Sequence, residues 1–279
     1  MTDNQWKLVV DREGVTIASD RFRLTAAGTV PAQGELAPDE AVLEAMESSQ
    51  LEGIISELQS MTRRTYGQFC GLSRAVEMVG ERWALLIIRD LLVGPKSFTD
   101  LAEGFPRLSI DVLCARLREM EHFGVLEESM KDGDMTYELT DYGRALDDIV
   151  MALGRWGALS LEDPRPEDII TENSMIMALR STYQAEAAAG LTASFELRLG
   201  EVIIHAKVVD GVLKAGAGPL PGADLVVEPG PTLKMLMTNE MTPVQAIDTG
   251  HVTLTGDASL FPRFVSLFQI HPVPVSATT

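Results

Sequence analysis

The run from Cys70 to Trp156 constrains the fold most, because apolar helical stretches alternate with breakers in a fixed order. Leu72, Ala75, Val76 and Val79 recur at helical spacing, and Gly80 ends that helix. Residues 81–92 form a second, strongly apolar helix stopped by Gly94-Pro95. Ser97 or Thr99 can cap a short helix through Leu101, and Pro106 bars it from continuing. Ser109 is placed to cap the next helix with its side-chain oxygen. Val112, Leu113, Leu117 and Met120 give that helix a buried face and leave Ser109, Asp111, Arg116 and Arg118 elsewhere on it. Gly124 suits a left-handed helix end. Residues 126–130 and 135–139 then read as strands joined by Lys131-Asp132-Gly133-Asp134, whose Asp-Gly pair is a strong hairpin signal. Thr140 caps a last helix with an apolar stripe of Leu146, Ile149, Val150, Leu153 and Trp156. Three helices, a hairpin and a closing helix are the order of a winged helix-turn-helix, which makes double-stranded DNA the first partner to consider.

A length of 279 residues suggests about two domains. Asp163-Pro164-Arg165-Pro166 is a stiff linker and marks the clearest boundary. The expected division is an N-terminal extension of mixed structure over 1–60, a winged helix-turn-helix over 61–162 and a third part over 163–279. In the extension, residues 7–10 and 14–18 resemble a hairpin, and Pro38-Asp39-Glu40 opens an acidic helix running to about Leu58. Beyond the linker, residues 169–189 read as mostly helical. Strands are expected over 194–199, 201–208, 223–228 and 250–257, helices over 232–237 and 242–249, and a final helix over 258–268. The fold class is therefore α+β.

The net charge of −18 opposes binding to a polyanion, so its distribution matters. Residues 62–160 carry 12 of the 23 lysines and arginines, and the balance there is only −4 against −7 in each flanking part. A local basic face can bind phosphate even on an acidic protein.

No apolar run approaches the roughly 20 residues of a membrane span. The start Met1-Thr2-Asp3-Asn4-Gln5-Trp6 has neither a basic nor an apolar signal-peptide region. Two cysteines make no disulfide framework, so a cytoplasmic protein without a membrane partner is expected. The four histidines have no metal spacing, and no nucleophile elbow or phosphate loop occurs. Neither catalysis nor a metal or other cofactor is expected.

Cys70, Gly80-Glu81-Arg82-Trp83, Gly94-Pro95-Lys96-Ser97-Phe98-Thr99-Asp100-Leu101, residues 112–121 and residues 137–146 together resemble the HxlR family of bacterial winged-helix regulators. The resemblance covers about residues 66–158. It implies a homodimer, a recognition helix in the major groove and a wing near the DNA backbone. The short wing at 131–134 departs from the family's proline-rich, more basic turn. The last hundred residues resemble the sterol carrier protein fold, through residues 200–210, 223–227 and 250–257 ahead of an apolar helix. That resemblance implies helices over a curved sheet in an α/β sandwich, able to enclose lipid-like ligands.

The candidate DNA-contacting residues are Ser109, Asp111, Val112, Cys114, Ala115, Arg116 and Arg118 on the recognition helix, with Arg107, Lys96, Lys131 and Arg74 toward phosphates. A solvated, capped helix face is the plainer reading of the same residues, and Arg118 could instead pair with Glu119 or Glu121. Met235, Met237, Phe261, Phe264 and Phe268 could line an apolar site for a hydrophobic small-molecule effector, or simply fill a core. Cys70 stands where some HxlR-type proteins carry a redox-sensing thiol, although a small half-buried residue is the preferred reading. The expected function is a dimeric transcriptional repressor on a pseudo-palindromic operator. The rival is a hydrophobic-ligand carrier whose helix-turn-helix serves as a protein-interaction module.

Overall fold

The computed structural model describes residues 65–270 apart from 132, 163 and 166, together with the backbone of four N-terminal strands. The chain divides into two compact units, Met1–Glu77 and Met78–Thr279.

In the first unit β1 (Lys7–Asp11), β2 (Gly14–Ala18), β3 (Phe22–Thr25) and β4 (Gly28–Pro31) form an antiparallel meander in sequential order. The expected hairpin is its first pair, with Val10 opposite Val15. The acidic helix expected after Pro38 lies outside the described residues. Helix α1 (Gly71–Val79) follows, with Leu72 exposed.

The second unit holds two apolar cores. The first is built by α2 (Ala84–Val93), α3 (Phe98–Gly104) and α4 (Ile110–His122) under a three-stranded sheet. That sheet has the order β5 (Lys96–Ser97), β7 (Asp134–Leu139), β6 (Leu126–Lys131). Ser97 rather than Thr99 caps α3: its hydroxyl accepts from the Asp100 N–H while the Asp100 carboxylate accepts from the Ser97 N–H. Gly124 adopts φ +67 as expected, and the Val125 N–H returns to the Met120 carbonyl at 2.8 Å. Thr140 caps α5 (Asp141–Arg144), accepting from the Gly143 N–H and donating to the Gly124 carbonyl at 2.6 Å. Gly143 sits so close to the Val125 carbonyl that a side chain there would overlap it. The single expected closing helix is thus two, α5 and α6 (Asp147–Ala158).

The second core lies under a five-stranded sheet of order β10-β9-β8-β11-β12. Its strands are β8 (Ala193–Leu199), β9 (Val202–Val209), β10 (Val212–Ala217), β11 (Leu225–Glu228) and β12 (Thr253–Gly256). Only β8 and β11 run parallel; the other pairs are antiparallel. Alternate residues Phe195, Leu197, Ile204, Ala206, Val208, Leu225 and Val227 point into one core. The same core takes residues from α7 (Glu172–Thr182), α8 (Leu233–Met237), α9 (Pro243–Asp248) and α10 (Phe261–Leu267). Asp210-Gly211, a hairpin turn by its sequence, joins β9 to β10 with φ of 49° and 78°, as a tight hairpin turn needs.

Helix α7 joins the two cores. Arg180 donates to the Asp147 carboxylate at 2.6 Å and to the Leu92 carbonyl at 3.2 Å. Asn173 donates to the buried Asp90 at 3.0 Å, and Arg155 to the Ser181 carbonyl at 3.2 Å. These bonds tie α2 and α6 to the sheet's helical layer. Among the described residues no helix is long and apolar enough to cross a membrane.

Candidate nucleic-acid interface

Helix α4 is amphipathic, but in a register different from the expected one. Its buried stripe is Leu113, Arg116, Leu117 and Met120, spaced i, i+3, i+4, i+7. Val112, expected inside, is 40% exposed, and Arg116, expected outside, is 8% exposed. Arg116 survives there because its guanidinium meets the carboxylates of Glu119 at 2.6 Å and Glu81 at 3.6 Å. A buried charge needs such partners. Arg116 therefore fixes α4 against the turn before α2 and does not reach outward.

The opposite face carries Asp111, Ala115 and Arg118, all exposed, with Val112 beside them and Ser109 at the start. Ser109 holds the N-cap backbone position, yet its hydroxyl makes no capping bond, contrary to expectation. Ile110, which the sequence reading passed over, is exposed at 53% next to Val112. Among the described residues the Arg118 guanidinium has no ion pair or hydrogen bond, so the alternative pairing with Glu119 or Glu121 does not form. Cys114 is half-buried at the edge of this face.

The phosphate candidates separate. Lys131 ends β6 and is exposed, with Met130 and Met135 exposed beside it at the tip of the hairpin. Lys96 is half-buried in β5 opposite Tyr137. Arg107 is exposed, but its guanidinium donates to the Glu167 carbonyl at 2.6 Å, which directs it toward the linker. Arg74 pairs with Glu77 at 3.3 Å.

Cys70 is exposed just before α1. Backbone N–H groups of Ser73 and Leu72, then the Ser73 hydroxyl, hold its thiol pKa below the ordinary value. The five apolar effector candidates are placed differently from one another. Met237, Phe261, Phe264 and Phe268 are buried core residues, whereas Met235 is 37% exposed. Phe264 lies 5.3 Å from Phe195, 6.5 Å from Phe261 and 5.1 Å from Phe268, ring centre to ring centre. Among the described residues no group of three or more histidine, cysteine or acidic side chains is placed to hold a metal ion.

Residues 78–164 match the model of the HxlR-like helix-turn-helix family. The chain is 36% identical over 115 residues to an uncharacterised HTH-type transcriptional regulator of Mycobacterium tuberculosis, over 39% of this chain and 68% of that protein. The chain belongs to the HxlR-like helix-turn-helix family. Another relative in sequence is the HTH-type transcriptional regulator YodB of Bacillus subtilis, 31% identical over 104 residues, which are 36% of this chain and 90% of YodB. The crystal structure of the HTH-type regulator ytcD shares 31% identity over 33% of this chain and 96% of that one, at a TM-score of 0.31. The assignment therefore rests on sequence. The HxlR-like match ends at residue 164, ahead of α7 and the five-stranded sheet.

Proposed function

We propose that this HxlR-like chain is a DNA-binding transcriptional regulator, a repressor acting as a homodimer on a pseudo-palindromic operator. The observation that carries the reading is the outward face of α4. Asp111, Val112, Ala115 and Arg118 stand in a row on a helix whose other face is locked into the core. An arginine with free donors reads guanine bidentately, an aspartate accepts from a cytosine amino group, and Ile110 and Val112 can meet thymine methyls. Lys131 on the wing, and Lys96 behind it, would take phosphates. Arg116 is engaged within the protein and leaves this contact set, and Arg107 is directed toward the linker.

Helix α6 supports the dimer. Ile149, Ala152, Leu153 and Trp156 form an exposed stripe at i, i+3, i+4, i+7, and Trp156 is 70% exposed. An apolar stripe of this kind on solvent-facing helix marks an association surface. A two-fold axis through it would present two α4 helices to half-sites about one DNA turn apart. The sheet and helices beyond the linker are read as a sterol-carrier-like module that stiffens this arrangement through α7.

Arg118→Ala is the direct test. It should weaken binding to a selected operator by about 1–3 kcal/mol, on the order of 5- to 150-fold, with relaxed preference at one base position. Circular dichroism should be unchanged. Equal affinity for both proteins would contradict the assignment.

A second reading, a thiol sensor, is favoured by the exposure and lowered pKa of Cys70. Because the pKa is lowered, the reactive thiolate persists to lower pH than in an ordinary cysteine. In a Cys114→Ser background, the pH midpoint of iodoacetamide labelling should fall below that of a free thiol. A midpoint at or above it would remove this reading.

A further inference from the structure

We propose that the cavity at the seam between the helix-turn-helix and the linker preceding α7 is a binding site for a small aromatic carboxylate. The cavity is a groove half open to solvent, with a volume of about 220 Å³. That is below the usual range for drug-sized ligands and suits a molecule of one ring. Trp83, Leu86, Phe105 and Ile169 are among the apolar residues that line it. The Trp83 and Phe105 rings meet edge to face with centres 6.1 Å apart, an arrangement a third aromatic ring can extend.

Two arginines, Arg89 and Arg107, line the same space. Arg89 is fixed by the buried Asp90 through contacts of 2.8 and 2.7 Å, and lies 5.8 Å from the centre of the Phe105 ring. Its charge is thereby largely answered. Arg107 is different: it donates to the neutral Glu167 carbonyl, and among the described residues no carboxylate lies at ion-pair distance from it. A guanidinium has five N–H donors, so those remaining can take a carboxylate in the two-pronged geometry. Glu167 and Asp168 also border the cavity, and Asp168 accepts from the Arg165 N–H at 2.9 Å. Their charges disfavour a dianion such as phosphate, so a carboxylate would be held by the Arg107 donors alone.

Trp83 adds an independent mark. It is a tryptophan at φ +83, in the left-handed region, on the cavity wall. Strain of this kind in a bulky residue persists where the surroundings enforce it, and clusters at ligand sites. The Phe105–Arg107 wall is also the turn that leads into α4, so an occupant would bridge that turn to the segment entering α7. The site proposal stands on this geometry and does not depend on DNA binding.

The test is calorimetric titration of the full chain with benzoate, benzyl alcohol and acetate. Benzoate should bind once per chain with Kd on the order of 0.1–1 mM, and the other two at least about tenfold more weakly. Arg107→Gln should weaken benzoate about tenfold or more, and Leu86→Trp, which fills the cavity, should abolish its binding. Both variants are checked for unchanged circular dichroism, and Arg144→Gln, remote from the cavity lining, should bind benzoate as the parent does. No saturable benzoate binding would overturn the proposal. So would equal binding of benzyl alcohol, or benzoate binding indifferent to both Arg107→Gln and Leu86→Trp.

Discussion

Arg116→Ala is expected to destabilise the helix-turn-helix by about 3 kcal/mol, measured as a shift in denaturant midpoint. Removing one partner of a buried ion pair leaves the other charge stranded, at a cost of roughly 3–5 kcal/mol. The low end applies because Glu81 keeps 44% of its side-chain surface in water and is partly rehydrated. Glu119, at 18%, keeps less of its surface in water. The contrast with Arg118, two residues along, is diagnostic: one arginine holds the helix in place and the other is exposed on its outer face. A stability change under about 0.5 kcal/mol for Arg116→Ala, the level of an ordinary surface substitution, would show that α4 sits in another register.

Phe264→Ala is expected to cost about 4 kcal/mol in the second core, by the same measurement. Deleting a buried phenylalanine loses both its transfer free energy and the packing around the cavity left behind, roughly 3–5 kcal/mol together. Phe264 touches rings on three sides, so its neighbours have little freedom to close the gap. A loss below about 1 kcal/mol would mean that these rings form a loosely filled chamber, as a hydrophobic-effector site would.

Much of this was legible from local patterns. The breakers Gly94-Pro95, Pro106 and Gly124, and the Asp-Gly wing, set the element order of the helix-turn-helix because each acts on its own few residues. The recognition helix was misread by one position because a hydrophobic count discards arginine. The i, i+3, i+4, i+7 series at 113, 116, 117 and 120 was present, but reading it required allowing a paired charge in the core. Trp83 looked like the first turn of an apolar helix, whereas it forms a left-handed turn before α2. Gly216 lies inside β10, where a glycine would ordinarily weaken a strand. That glycine is there for a reason no local pattern gives: a side chain would collide with the His205 ring on β9. The seam cavity draws on residues near 83, 105 and 169, and only tertiary packing brings such separated segments together.

The central claim is sequence-specific recognition of DNA by a dimer. Its most direct test is selection from randomised DNA with the purified full-length protein at near-physiological salt, since affinity without stated salt has no meaning. Enrichment of an inverted repeat whose half-sites lie about one helical turn apart is the expected result. Folded protein that enriches no sequence would contradict it.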